Sequence, residues 1–110
     1  MTAERWDIQE LIEDQHQSGE RYFEFLRVPS MSAGVYRLAP GATDSQSPHS
    51  EDEVYLVLAG RGRFRCGAED SAVATGSVLY VPALREHRFH SIEEELRLLV
   101  LFAPAEQVGD

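Results

Sequence analysis

The chain has no lysine and no asparagine, a single cysteine, and no apolar run approaching the length of a membrane-spanning helix. Each of these gaps excludes something. With Cys66 alone there is no internal disulfide, so packing and backbone hydrogen bonds must hold the fold. Cys66 alternates with Arg63 and Arg65 in Arg-Phe-Arg-Cys, the setting of a small strand residue turned inward. Every cation is an arginine, and ten of them face nineteen acids for a net charge of −9. The acids are spread along the chain, so a duplex or an anionic lipid surface would be repelled, and neither nucleic acid nor membrane is expected as a partner. The opening residues, Met-Thr-Ala-Glu-Arg-Trp-Asp-Ile-Gln-Glu, are too acidic and too interrupted for a signal peptide. A cytoplasmic protein is the expectation.

What is present is enough for one core. At 110 residues, 43% of them apolar, the chain fits one domain. Residues 1–20 read as an N-terminal helical segment: Ile8, Leu11 and Ile12 make a short stripe over 4–16, with Thr2 as cap and Gly19 as stop. His16 falls on the polar end of that helix, in solvent. Residues 21–104 read as β, and 105–110 as a loose tail. About eight short strands are expected, at 22–28, 31–39, 54–58, 63–66, 71–74, 78–81, 88–92 and 96–102, punctuated by Gly and Pro. Such spacing specifies a sandwich or barrel and not a parallel α/β sheet. Val54–Leu58 and Leu96–Phe102 are apolar on both faces, so their outer side needs a cover, either the N-terminal segment or a second copy in a homodimer.

Two stretches carry chemistry. In Gly41-Ala-Thr-Asp-Ser-Gln-Ser-Pro-His49-Ser-Glu-Asp-Glu53 and in Gly76-Ser-Val-Leu-Tyr-Val-Pro82-Ala-Leu-Arg-Glu-His87-Arg-Phe-His90, imidazole and carboxylate groups lie beside apolar strands. His49, Glu53 and His87 are the candidate ligands of one ion, since two imidazoles and a carboxylate suit Fe, Mn, Ni or Zn and leave positions free. A straight strand would hold His49 and Glu53 about 13 Å apart, so the chain has to bend across Ser50-Glu51-Asp52. His90 is an odd number of residues from His87 and points to the other face. Tyr55 shares the face of Glu53, and Phe89 that of His87, where they would line the same cavity. A His beside a Glu can also simply hydrogen-bond within a barrel, without an ion.

These stretches resemble the two motifs of the cupin family, G-x5-H-x-H-x3or4-E-x6-G and G-x5-P-x-G-x2-H-x3-N. Glu53 and Gly60 are seven residues apart with His49 four before Glu53, while Pro82 follows Gly76 by six and His87 follows Pro82 by five. The resemblance covers about residues 34–103. Three positions depart from it: Ser47 stands where the family has its first His, Leu84 where it has Gly, and Ser91 where it has the closing Asn. The resemblance implies an all-β double-stranded β-helix, the jelly-roll barrel, preceded here by the short helix and open where the ligand loops meet. It implies a divalent metal ion on His49, Glu53 and His87. Ser47 is expected to hydrogen-bond around the ion, since a hydroxyl is a poor ligand, and Gln46 or Glu51 to supply a further group.

Three free positions on an ion support oxygen activation, Lewis-acid isomerisation or capture of a small molecule. Glu51, Glu86, Tyr55 and Arg37 are the available acids and bases. Two functions are therefore expected and left open: a metal-dependent enzyme, dioxygenase-like or isomerase-like, or a non-catalytic module that binds a small metabolite with or without metal.

Overall fold

A computed structural model describes residues 3–44 and 48–107. The helix α1 runs Ile8–Ser18, four residues later at its start than the stripe suggested. Asp7 is the reason: in extended conformation, its carboxylate accepts the backbone N–H of Gln9 and so caps the helix there. Gly19 ends it in the left-handed conformation, as expected, with its N–H on the Gln15 and His16 carbonyls. Thr2, the expected cap, lies outside the described residues.

Six strands follow: β1 (Tyr22–Val28), β2 (Met31–Leu38), β3 (Asp52–Cys66), β4 (Glu69–Ala74), β5 (Val78–Val81) and β6 (His87–Ala103). All pairings are antiparallel, in the order β1-β2-β6-β3-β4, with β5 also on β3. This is the all-β architecture that the sequence implied, although among the described residues no pairing closes the sheet. Four expected strands fuse into two. Segments 54–58 and 63–66 are one strand, β3, and 88–92 with 96–102 are another, β6.

The fusion corrects the expectation that glycine, here Gly60 and Gly62, breaks the chain between segments 54–58 and 63–66. The register between β3 and β6 shifts at Val57/Ala59, Ala59/Arg61 and Arg61/Arg63, so the glycines sit in a bulged bend that lets one strand serve two parts of the sheet. Gly60 has φ 94, and a Cβ there would collide with the Glu95 carbonyl oxygen, so no other residue fits.

The core fills the concave side. Tyr55, Phe64 and Phe89 stack edge-on or tilted at 4.7–5.8 Å, surrounded by Leu38, Val57, Leu96, Leu98 and Val100. On the convex side, α1 packs on β1 and β2. Its buried Gln15 donates to the Arg21 and Val35 carbonyls and pins it there. The apolar outer faces of β3 and β6 therefore remain half-exposed. Across them run two rows, Tyr80–Val54–Leu101 and Val78–Leu56–Leu99, in which Val78 is 67% and Tyr80 61% exposed.

The chain reverses backbone hand at two of the positions where it departs from the cupin motifs. Leu84 has φ 67 and Ser91 φ 49. Gly and Asn, the motif residues there, are the ones that take this conformation at least cost. The backbone keeps the shape of the motif while the side chains have changed.

Candidate metal centre

The two ligand-bearing segments are stitched together by their backbones. His49 precedes a bend at Ser50 and Glu51, after which β3 begins at Asp52. The bend required between His49 and Glu53 is present. The Leu84 N–H donates to the His49 carbonyl at 2.6 Å, and the Ala83 N–H to Asp52 Oδ1 at 2.9 Å. The segment before β6 is thereby fixed against the segment before β3. Asp44 anchors the approach to this loop, accepting the Tyr36 hydroxyl at 3.0 Å and the Phe89 N–H at 2.9 Å.

As a result His49, Glu53 and His87 converge, each with one ligand-type atom within 4.8 Å of the others. Donors on one ion lie about 2.0–2.2 Å from it, hence at most about 4.4 Å from each other, so a movement of a few tenths of an ångström would seat one. Glu53 is 2% and His87 4% exposed. His87 Nδ1 faces the Arg85 carbonyl at 2.9 Å. A carbonyl only accepts, so Nδ1 carries the proton and Nε2 is turned inward, 3.2 Å from the Tyr55 hydroxyl and 3.0 Å from Glu53 Oε1.

Glu53 is the anomaly. Its Oε1 is close enough to His87 for a charge pair, yet the ring N–H directions do not meet it, and neither carboxylate oxygen accepts a hydrogen bond among the described residues. A buried carboxylate without donors is costly, by several kcal/mol as an order of magnitude, unless a cation or proton is supplied. The His87 pKa shows the same need. Burial opposes its charged form, but Glu53 and the Arg85 carbonyl outweigh it, and the pKa is raised. The donor set is therefore one that a divalent ion would satisfy.

A cavity of about 200 Å³ adjoins these residues, lined by Tyr22, Tyr36, His49, Glu53, Tyr55 and Glu106 with Val100 and Phe102. Tyr55 thus lines it as the alternation suggested, whereas Phe89 packs behind it in the core. Glu51 is buried but turned elsewhere, accepting the Ser50 hydroxyl and the Gln107 N–H. Gln46 and Ser47 lie outside the described residues. His90 is on the outer face, bonded to Asp70 at 2.8 Å.

Three cavity groups escaped the sequence reading: Tyr22, Tyr36 and Glu106. Tyr22 bends over Gly34, whose missing Cβ makes the room, and its buried hydroxyl has no partner among the described residues. Burial and then the Glu106 charge raise its pKa, so it stays a phenol and a donor. Glu106 itself is raised to about 7, by burial first and then by Glu53 and Glu51. It belongs to a segment counted as tail, and no periodicity marked it. Only the folded chain places it there, with Ala105 buried and Glu106 N–H on Ser32 Oγ at 3.0 Å.

Comparison with known proteins agrees with the fold. The chain is 48% identical over 99 residues to the uncharacterized protein SCO3923 of Streptomyces coelicolor, covering 90% of this chain and 94% of that one. In fold it is similar to TT1209 from Thermus thermophilus, with a TM-score of 0.75 at 23% identity over 94% of this chain and 99% of that chain. KdgF from Halomonas sp. has a TM-score of 0.69 at 19% identity, over 76% of each chain. The family model described as "Cupin domain" matches residues 34–103, the stretch that runs from β2 through both ligand-bearing segments to the end of β6, and the chain belongs to that family.

Proposed function

We propose that His49, Glu53 and His87 hold one divalent metal ion, Fe, Mn, Ni or Zn, and that the chain uses it to bind and transform a small molecule in the adjoining cavity. The observation that carries this reading is the Glu53 carboxylate, buried between two imidazoles with both oxygens lacking a hydrogen-bond donor among the described residues. Bound there, an ion would supply Lewis acidity and, if redox-active, oxygen chemistry, which are the isomerase-like and dioxygenase-like alternatives. The protein's own part is to orient and to exclude water. The Arg85 carbonyl sets the His87 tautomer, Tyr55 stands beside it, and the Tyr22 phenol offers a donor with no partner among the described residues across a mostly apolar wall. A cavity of about 200 Å³ limits the partner to a small metabolite.

Elemental analysis of protein purified without chelator tests this, with about one transition-metal ion per chain expected. Absence of any divalent-ion binding by titration would sink it. Once Co(II) is loaded, a shift of its d–d absorption on adding oxalate reports a ligand reaching the ion. Oxygen uptake or isomerisation of a substrate distinguishes an enzyme from a non-catalytic binding module.

We also infer that a second copy covers the apolar rows Tyr80–Val54–Leu101 and Val78–Leu56–Leu99, since they are uncharged, partly exposed, and not covered by α1. Light scattering should give about twice 12.4 kDa, and Val78→Glu with Tyr80→Glu should give the monomer. A monomeric wild type would refute the dimer without touching the metal site.

A further inference from the structure

The segment after β6 does more than end the chain. Four hydrogen bonds fix its backbone: Ala105 N–H to the Pro29 carbonyl at 3.4 Å, Glu106 N–H to Ser32 Oγ at 3.0 Å, Arg27 Nη2 to the Glu106 carbonyl at 2.8 Å, and Gln107 N–H to Glu51 Oε2 at 3.3 Å. With the backbone held in this way, the Glu106 side chain turns inward to line the cavity, and its Oε2 faces His49 Nδ1 at 3.4 Å.

Glu106 is too remote to be a ligand itself. It is not among the groups whose donor atoms all lie within 4.8 Å of one another, and donors sharing an ion are at most about 4.4 Å apart. Its place corresponds instead to that of the Arg85 carbonyl on the other imidazole. His87 has Nδ1 held by an oxygen and presents Nε2 to Glu53. His49 has Nδ1 facing an oxygen too, this one a carboxylate brought from the far end of the chain. An acceptor on one ring nitrogen fixes the tautomer and orientation of a ligand histidine and raises the basicity of the other nitrogen.

We propose that Glu106 is a positioning residue: its carboxylate accepts the Nδ1 proton of His49, so that Nε2 is offered to the group formed with Glu53 and His87. Ion binding and docking of residues 105–107 are then two ends of one coupling. An ion tightens the docked segment, and undocking the segment weakens the ion by the same factor. This rests on the reading that His49, Glu53 and His87 hold an ion, but its first test does not need one.

In metal-free protein at pH 8, above the raised Glu106 pKa of about 7, ¹⁵N chemical shifts of the His49 ring report which nitrogen carries the proton. The wild type should show Nδ1–H, E106A a mixture of tautomers, and E106Q the wild-type form, because its amide oxygen still accepts. In a Zn(II) competition titration E106A should bind about 10–100-fold more weakly than wild type, and E106Q within a few-fold of it. E20A, which removes an exposed acid at the end of α1, should change neither readout. An unchanged tautomer in E106A, or Zn(II) affinity equal to that of a wild type that does bind, would overturn the proposal. If the wild type takes up no ion at all, the reading of the metal centre fails, while the ring shifts still decide the part assigned to Glu106. A folded E106Q, checked by its amide spectrum, keeps the comparison valid if E106A is unstable.

Discussion

Two histidine–carboxylate pairs lie three residues apart on β6 and have opposite characters. On the convex face His90 bonds Asp70 at 2.8 Å, and Asp70 also accepts from Arg63 Nε at 3.0 Å. Despite some desolvation, Arg63 and His90 hold the Asp70 carboxyl below its usual range. That carboxylate has its donors and its counter-charges. On the concave face His87 lies 3.0 Å from Glu53, and among the described residues Glu53 has neither an aligned donor nor an arginine. The same residue types make a satisfied surface cluster on one side and an unsatisfied buried one on the other. Strand alternation assigns the side, and the bend before β3 decides which carboxylate is buried. A cluster that already has its cations gains little from an ion, and the proposed ion would supply what the buried one lacks among the described residues.

The comparison breaks first at the ion. His87→Ala should cost divalent-ion affinity more than the roughly 10–100-fold expected for an outer partner. His90→Ala and Asp70→Ala should leave a Zn(II) titration unchanged. Equal losses at His87 and His90 would mean that the two clusters do not differ as described.

Next is stability without the ion. Glu53→Gln replaces an unsatisfied charge by a group that can donate to His87 Nε2, so in chelator at pH 8 it should stabilise the fold by about 1–3 kcal/mol. Asp70→Asn, at a partly exposed pair screened by solvent, should destabilise only slightly. Urea denaturation measures both, and a destabilised Glu53→Gln would show that the carboxylate is satisfied after all.

The pH dependence has a definite sign. Glu106 is raised from 4.5 to about 7, so the folded state holds its proton longer than the unfolded one, and stability falls as pH rises through that window. His87 is also raised, so its contribution is full below its ordinary value of 6.5 and is lost as pH rises through the folded value. Metal-free protein should therefore lose roughly 1–2 kcal/mol between about pH 4.5 and 8, allowing for solvent screening of Glu106. Saturating Zn(II) should reverse the slope, because protons compete with it for the imidazoles. Thermal or urea unfolding across that range, with and without Zn(II), checks both signs.

The smallest effect tests the backbone beside each cluster. Leu84, 73% exposed and left-handed, packs little, so Leu84→Gly should raise stability by a few tenths to about 1 kcal/mol as relief of the strained φ exceeds the entropy cost of glycine. Ser91→Asn, next to His90, should gain less. A loss at Leu84 would show that its exposed side chain contributes contacts.

Most of the fold could be read because it depends on local rules. Gly19 ended α1, Pro29 and Pro82 bounded strands, and alternation turned Tyr55 inward and His90 outward. Where reading failed, a distant partner overrode the local signal. Gly60 looks like a turn, yet it lies within one long strand, paired with β6 so near the Glu95 carbonyl that a Cβ would not fit. Asp7 outranked an earlier start for α1 by capping the helix.

By itself the sequence determined the all-β class and the family motifs, and it named His49, Glu53 and His87 as ligand-type residues, since these depend on spacing along the chain and on side-chain chemistry. Only the tertiary structure decided that Glu53 lacks donors among the described residues, that Tyr22 crosses Gly34 into the cavity, and that Glu106 reaches His49. Those facts depend on burial and on contacts between segments dozens of residues apart, and no local pattern in the chain records them.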